Sequence, residues 1–282
     1  MNLLVIFSFL LSFLHRLAKC ICVHLLRFGP TPRHIGFIMD GNRRFAKSSN
    51  MEIAKGHELG LMALEENLET CFQIGIRAVT VYAFSLDNFH RPKPEVDALM
   101  DLAKIHLARL TGPHGLLTKW NAKFNVPGNH EMLPSDVKEA IRNAVSATSK
   151  GDGYVFNLCL AYTSRDEMTT AIRNTVVQFL ERPKDHVIVV DAEDGTLDGW
   201  REKSITAQSL SNNMHIPDHP PLDLLIRTSG VSRLSNFLLW QCHQETKILI
   251  LDTFWPRLRG FAVVSMLLRW KLRTWLSGLW GV

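Results

Sequence analysis

Apolar residues fall along this chain in short blocks separated by amphipathic stretches. Residues 35–39 (IGFIM), 77–84 (RAVTVYAF), 154–162, 222–227 (LDLLIR) and 247–252 (KILILD) are compact apolar or β-branched runs. That is the pattern of strands buried on both faces. A further strand is predicted near 122–127. Residues 56–73, 95–110, 135–149 and 165–180 repeat apolar positions at helical spacing, as in Leu59, Met62, Ala63, Leu64 and Leu68. Strands separated by helices of this length predict βαβ units. The fold class is therefore α/β, with a mostly parallel central sheet flanked by helices. Residues 181–220 interrupt the rhythm with a polar stretch containing Asp191, Glu193 and Asp194. It is expected to be an excursion from the body.

The two ends differ from the middle. Residues 3–14 (LLVIFSFLLSFL) form an apolar run of 12, short for a membrane span and with no basic residue before it. Extended through Phe28, it predicts an interfacial helix with Arg16, Lys19 and Arg27 on its polar side. A signal anchor, or a terminal helix packed on its own domain, are the alternatives. Gly29-Pro30-Thr31-Pro32 then breaks the chain. Residues 261–276 are again apolar and basic, suited to membrane contact, subunit contact or a core helix. Three segments result: an apolar basic 1–31 that associates with membrane, a folded body over 32–256, and a basic apolar helix over 257–282.

Composition sharpens this division. The 282 residues are 46% hydrophobic and 21% charged, which excludes a disordered chain. The net charge of +5 hides nine basic residues in 1–39 and 257–282, where no acid occurs, so the middle is net −4. Basic ends that are also apolar suit a membrane surface or a partner protein rather than nucleic acid. The five cysteines include no C-x-x-C pair, so neither a disulfide framework nor a zinc ribbon is indicated. A reducing compartment follows.

Three strand ends carry candidate chemistry. Asp40-Gly41-Asn42-Arg43-Arg44 follows the first strand, where open α/β sheets bind ligands. Glycine admits close backbone approach, and the arginine fork matches phosphate oxygens. A lone carboxylate among arginines makes sense where Mg²⁺ bridges it to a diphosphate. The alternative is a helix-capping turn with solvated arginines. Ser85, Asn88 and Arg91 follow the second strand in YAFSLDNFHR, where their other role is turn formation and capping. Arg227, Arg233 and Ser235 follow LDLLI around a Ser-Gly pair, a plausible second diphosphate clamp.

With these residues in place the sequence resembles the cis-prenyltransferases, the family of undecaprenyl and dehydrodolichyl diphosphate synthases. The resemblance runs from Pro32 to Pro256 through HIGFIMDGNRRFAK, GHELG, VTVYAFSLDNFHRPKPEV, AYTSRDE, DLLIRTSGVSRLSNFLLWQ and FWP. Its detail is similar to the eukaryotic, dolichol-making branch, and to fungal members. The resemblance implies a hydrophobic product tunnel between helices and sheet. It implies repeated condensation of farnesyl diphosphate with isopentenyl diphosphate, giving a polyprenyl diphosphate for dolichol synthesis and protein glycosylation. By motif position, Asp40 would hold Mg²⁺. Gly41, Asn42, Arg43, Arg44 and Arg91 would bind the allylic diphosphate with His57 nearby. Arg227, Arg233 and Ser235 would bind isopentenyl diphosphate, and Ser85 and Asn88 would assist at the reacting centre. The location implied is the endoplasmic reticulum membrane, with the catalytic domain facing the cytosol.

Two departures matter. Ile53 stands where many members have an arginine, removing one phosphate contact. The chain ends Leu279-Trp280-Gly281-Val282 rather than in the R-x-G tripeptide of single-chain members. The resemblance therefore implies a hetero-complex whose related, non-catalytic subunit supplies R-x-G. Arg257-Leu258-Arg259-Gly260 contains the letters by chance, ahead of a predicted helix. A non-catalytic scaffold or receptor subunit of the same fold is the alternative. It would have lost Asp40 and the arginines, which are all present here.

Overall fold

The computed structural model describes residue 7 and residues 17–29, 31–181, 205–216, 220–243 and 245–280. Six strands form one sheet: β1 His34–Ile38, β2 Ala78–Ser85, β3 Ala122–Asn125, β4 Tyr154–Tyr162, β5 Leu224–Arg227 and β6 Lys247–Ile250. Their order is β3-β4-β2-β1-β5-β6, and every pairing is parallel. The predicted strands all form; β5 starts at Leu224, two residues late, and β6 ends at Ile250, two residues early.

A helix over 17–27, α1, precedes the sheet. The other helices are α2 Asn42–Ser48, α3 Ile53–Ile74, α4 Lys93–Thr111, α5 Leu116–Lys119, α6 Ser135–Ala147, α7 Ser164–Glu181, α8 Ala207–Ser211 and α9 Gly260–Trp280. The four predicted helices of the body correspond to α3, α4, α6 and α7. Helix α3 stops at Gly75, whose φ of +98° suits only glycine well and whose N–H closes onto Cys71 and Phe72. His130–Met132 forms a 3₁₀ turn.

Period-two alternation sorts the central strands onto two cores. Ile35, Phe37, Leu224 and Ile226 join the larger one with Leu64, Leu68 and Phe72 of α3 and Leu107 of α4. Ile38 and Leu225 face the smaller one with Tyr162, Ile216, Phe237 and Leu238. Each such buried side chain contributes about 1.5–3 kcal/mol.

Residues 3–14, Phe7 apart, lie outside the described residues. Over 17–27 the terminal helix packs on its own domain: Val23 and Leu26 are buried with Val263, Val264 and Leu267 of α9. Lys19 Nζ donates to Thr70 Oγ1 at 3.0 Å, and Lys271 Nζ donates to the carbonyls of Leu25 and Leu26 at 3.1 and 3.2 Å. The opposite side leaves Leu17, Ile21, Leu25 and Phe28 exposed, with Leu272 and Trp275 of α9 exposed as well. Among the described residues no helix is long and apolar enough to cross a membrane. Trp255 is a core aromatic, 1% exposed.

Candidate active site

Strand register brings the three candidate segments together. Ile38 pairs with Tyr82 on one side and with Arg227 on the other. The carboxyl ends of β2, β1 and β5 therefore lie side by side. The chain moves from β1 to β2 in one direction and from β5 to β6 in the other. This is the topological switch point where open sheets bind ligands.

Asp40 and Arg227 form the centre. Arg227 Nη2 donates to Asp40 Oδ2 at 2.8 Å, and Arg44 Nη2 lies 3.4 Å from Oδ1. Arg227 is 3% exposed, whereas the Asp40 side chain is 30% exposed. Burial pushes the Asp40 carboxyl up. Hydrogen bonds from Arg227 and Ser229, with the charges of Arg227 and Arg44, outweigh that and hold it below its ordinary 3.8. The carboxylate is therefore ionised and reachable.

Arg227 also organises the second clamp. Its Nη1 donates to Ser235 Oγ at 2.8 Å and to the Arg233 carbonyl, while Arg233 Nε donates to Ser235 Oγ at 3.4 Å. Ser229, Ser235, Asn236 and Leu238 all have positive φ, a concentration of left-handed backbone that the surroundings must impose. Ser164 supplies part of that support, its N–H donating to the Asn236 carbonyl and its Oγ accepting from Leu239 N–H, both at 2.8 Å, and three residues further along α7 stands buried Glu167. It accepts from Tyr162 Oη, from Ile216 N–H at 3.0 Å and from Gln241 Nε2. Burial raises its carboxyl despite these donors.

The segment after Asp40 opens helix α2, but Gly41 is its N-cap and no side chain caps it, so Asp40 does not play the capping role of the alternative reading. Gly41 at φ +104° enters α2 with Phe254 against it; a Cβ there would meet Phe254 Cδ1 at 2.7 Å. Arg44 lies 5.6 Å from the Phe254 ring and also donates to Ser229. The glycines of GHELG let α3 approach α2. A Cβ on Gly56 would meet the Asn42 carbonyl at 2.7 Å, and one on Gly60 would meet Asn42 Oδ1 at 2.4 Å. Trp255 of FWP locks the junction: its N–H donates to the Asp40 carbonyl at 3.0 Å and its Nε1 to the Gly60 carbonyl at 2.8 Å. Gly60→Ala is therefore expected to displace Asn42 and lower kcat/KM by about 10²-fold, the cost of a misplaced site. Thermal unfolding should show a folded chain.

The β2 segment divides its roles. Ser85 Oγ accepts from Asp87 N–H at 3.2 Å, and Asn88 Oδ1 accepts from Ser85 N–H at 3.2 Å. This is the capping arrangement the sequence allowed. Arg91 and Arg43 converge instead on Glu95, at 3.2 and 3.3 Å. His57 stands close enough to feel Arg91, Glu95 and Arg43; burial first, then Arg91, lowers its pKa below 6.5, so it is neutral near pH 7. Its Nε2 and Asn42 Oδ1 are buried without hydrogen-bond partners. Sequence reasoning did not assign Glu95, Ser229 or Phe254 to the site. Only Glu95 carried a signal, its i,i+4 spacing from Arg91.

An apolar slot of about 90 Å³ leads away from Met39, Asn42 and His57. It runs between α3, α4 and the sheet, past Leu99, Leu158 and Leu160. Among the described residues no three His, Cys, Asp or Glu side chains converge as a metal cage. One ionised, reachable carboxylate beside phosphate-binding arginines fits a Mg²⁺ held jointly with substrate oxygens.

The undecaprenyl diphosphate synthase model of the prenyltransferases matches residues 38–277. The chain is 38% identical over 251 residues to a dehydrodolichyl diphosphate synthase complex subunit of Schizosaccharomyces pombe, covering 89% of each chain. It is 38% identical over 251 residues to the corresponding subunit of Homo sapiens, covering 89% of this chain and 70% of that one. Its structure resembles lavandulyl diphosphate synthase from Lavandula x intermedia, in complex with dimethylallyl diphosphate. The TM-score is 0.73 at 28% identity, over 85% of this chain and 94% of that one.

Proposed function

The chain belongs to the undecaprenyl diphosphate synthase family of cis-prenyltransferases, and on that premise we propose that the Asp40–Arg227 pair divides two diphosphate subsites. Its activity is cis-prenyl chain elongation toward a polyprenyl diphosphate of the dolichol type. The observation that carries the proposal is the carboxylate and guanidinium meeting at 2.8 Å across adjacent strand ends, beside the mouth of an apolar slot.

On the α2 side, Gly41 and Asn42 at the helix start, with Arg43, Arg44 and Arg91, bind the allylic diphosphate of a starter such as farnesyl diphosphate. The helix start and the guanidinium forks supply donors for it. On the β5 side, Arg227, Arg233 and Ser235 bind isopentenyl diphosphate. The allylic C–O bond breaks, the isopentenyl double bond attacks the allylic carbon, and a proton leaves to form the new cis double bond. Inorganic diphosphate departs. The arginines stabilise the charge that develops on it. Ser85 and Asn88, fixed by their mutual cap, stand at the end of β2 to assist there, and neutral His57 lies beside Arg91. Asp40 would hold a Mg²⁺, which neutralises diphosphate charge when bound. The hydrocarbon product extends into the slot, where each buried CH₂ contributes about 0.8 kcal/mol.

The relatives in fission yeast and human are named as complex subunits, which supports a hetero-complex with a related non-catalytic chain supplying R-x-G. The chain's own Arg257-Leu258-Arg259-Gly260 is committed elsewhere. Leu258 is buried and its carbonyl accepts from Asn67 at 2.7 Å, while Gly260 N–H donates to Glu66 at 3.0 Å. The exposed stripe of Leu17, Ile21, Leu25 and Phe28 supports attachment of α1 to a membrane surface, proposed to be the cytosolic face of the endoplasmic reticulum. The test is incorporation of labelled isopentenyl diphosphate with farnesyl diphosphate and Mg²⁺, with and without the partner. Strong activity with the partner and little without it is expected. Full activity of the chain alone would remove the partner from the account, and no incorporation in either case would overturn the enzyme reading.

A further inference from the structure

Helix α9 divides its side chains between two environments. Val263, Val264 and Leu267 are buried in the same core as Val23 and Leu26 of α1. Further along, Leu272 is 57% exposed and Trp275 60%, and Arg269 and Arg273 are exposed as well. The two arginines are four residues apart, so they share one side of the helix. Lys271 ties this end of α9 to α1. Its Nζ donates to the carbonyls of Leu25 and Leu26 at 3.1 and 3.2 Å and to that of Phe28. These lie at the carboxyl end of α1, where backbone carbonyls lack intrahelical donors. Gly29 packs on the same side chain; a Cβ there would meet Lys271 Nζ at 3.6 Å. Trp275 stands one turn beyond Lys271 along α9, and Phe28 beside it is exposed. Exposed apolar side chains of both helices therefore flank Lys271.

Charge decides what such a surface can meet. Residues 1–39 and 257–282 hold nine basic residues and no acid. A second copy presenting the same surface would set arginine against arginine, which disfavours self-association. Tryptophan and leucine beside arginines suit a lipid–water interface. There the indole sits among headgroups, apolar side chains enter the acyl boundary and guanidiniums reach phosphates. We infer that the outer side of α9 is a second bilayer contact beside α1, with Leu272 and Trp275 at the interface and Arg269 and Arg273 on anionic lipid headgroups. The inference deepens the membrane attachment read for α1 and rests on it. Its consequence is a preference for anionic bilayers, which the apolar stripe of α1 does not create. Lys271 fixes the two helices against each other, so both engage one surface.

The experiment measures binding of the full chain to vesicles of phosphatidylcholine, alone or mixed with phosphatidylserine. Wild type is expected to prefer the mixed vesicles, and the preference should fall as salt is raised. Arg269→Gln combined with Arg273→Gln should lower affinity for the mixed vesicles about 25-fold, about fivefold for each charge at an anionic surface. Affinity for phosphatidylcholine alone should stay unchanged. Leu272→Ser combined with Trp275→Ser should weaken binding to both. In vesicles of brominated lipid, Trp275→Phe should lose a quenched component of the tryptophan fluorescence, which reads α9 directly whatever the rest of the chain adds to total affinity. These side chains lie outside the diphosphate subsites, so elongation in detergent should keep its wild-type rate. An arginine variant with wild-type affinity for the mixed vesicles, or a Trp275→Phe chain quenched as wild type is, would overturn the inference and leave the α1 reading standing; both are the results expected if this side of α9 meets a protein instead. A wild-type chain that binds neither vesicle would overturn the membrane reading of α1 and this inference with it.

Discussion

Asp40→Ala should lower turnover by about 10³-fold, the loss expected when a preorganised electrostatic group at the reacting charge is removed. The carboxylate is ionised, part-exposed, and held by Arg227 at 2.8 Å and Arg44 at 3.4 Å. Without it the arginines lose their common partner, and a diphosphate-bound Mg²⁺ loses its protein ligand. The fold should survive, since Asp40 contributes no core volume. Asp40→Asn separates charge from shape and should cost nearly as much activity. It also tests the pH linkage. The folded state holds this carboxyl below its ordinary 3.8. Its stabilisation is therefore present above that value and lost as pH falls through the lowered folded value. Melting curves of Asp40→Asn should lack this acid-side loss, while a rate close to wild type would remove Asp40 from the chemistry.

Arg227→Met is expected to damage both binding and stability. The guanidinium bonds Asp40, Ser235 and the Arg233 carbonyl at once, and its side chain is 4% exposed. Breaking a buried charge pair costs about 3–5 kcal/mol, the lower end applying here because the Asp40 oxygens reach solvent. Arg227→Lys keeps the charge but loses the fork. It should fold better than Arg227→Met and still show an isopentenyl diphosphate KM raised about 10²-fold, as a lost charge-assisted pair implies. The allylic KM should change much less. A lysine variant with wild-type KM for isopentenyl diphosphate would contradict the assignment of the β5 side.

Much of this architecture was legible because parallel strands buried on both faces are apolar throughout. IGFIM and RAVTVYAF are such strands, whereas KILILD reads the same way although β6 is an edge strand that leaves Ile248 and Ile250 exposed. Helix α2 escaped notice for the opposite reason. Its seven residues, NRRFAKS, bury only Ala46 and offer no apolar period. Its start depends on Gly41, Phe254 and the close approach of Gly56 and Gly60, contacts between distant parts of the chain. Ser229 and Phe254 joined the site by the same route: Arg44 is four residues from Asp40, but its other partners come from the loops after β5 and β6. Ser85 and Asn88 are instructive in another way. Both a capping role and a reacting-centre role fit the spacing SLDN, and the cap observed leaves the second role to function assays. At the N-terminus, apolar periodicity alone gave no means of dividing one helix between a buried side at Val23 and Leu26 and an exposed side at Leu17 and Ile21.

The central claim is that two diphosphates sit on either side of Asp40 and Arg227. A crystal structure with Mg²⁺, isopentenyl diphosphate and a non-reactive allylic diphosphate analogue tests it most directly. The account predicts the allylic diphosphate at the start of α2 with Arg43, Arg44 and Arg91, and isopentenyl diphosphate on Arg227, Arg233 and Ser235. Asp40 should lie on the metal between them, with the hydrocarbon tail in the slot against Leu99, Leu158 and Leu160. Either diphosphate bound away from these side chains, or a tail outside the slot, would contradict it.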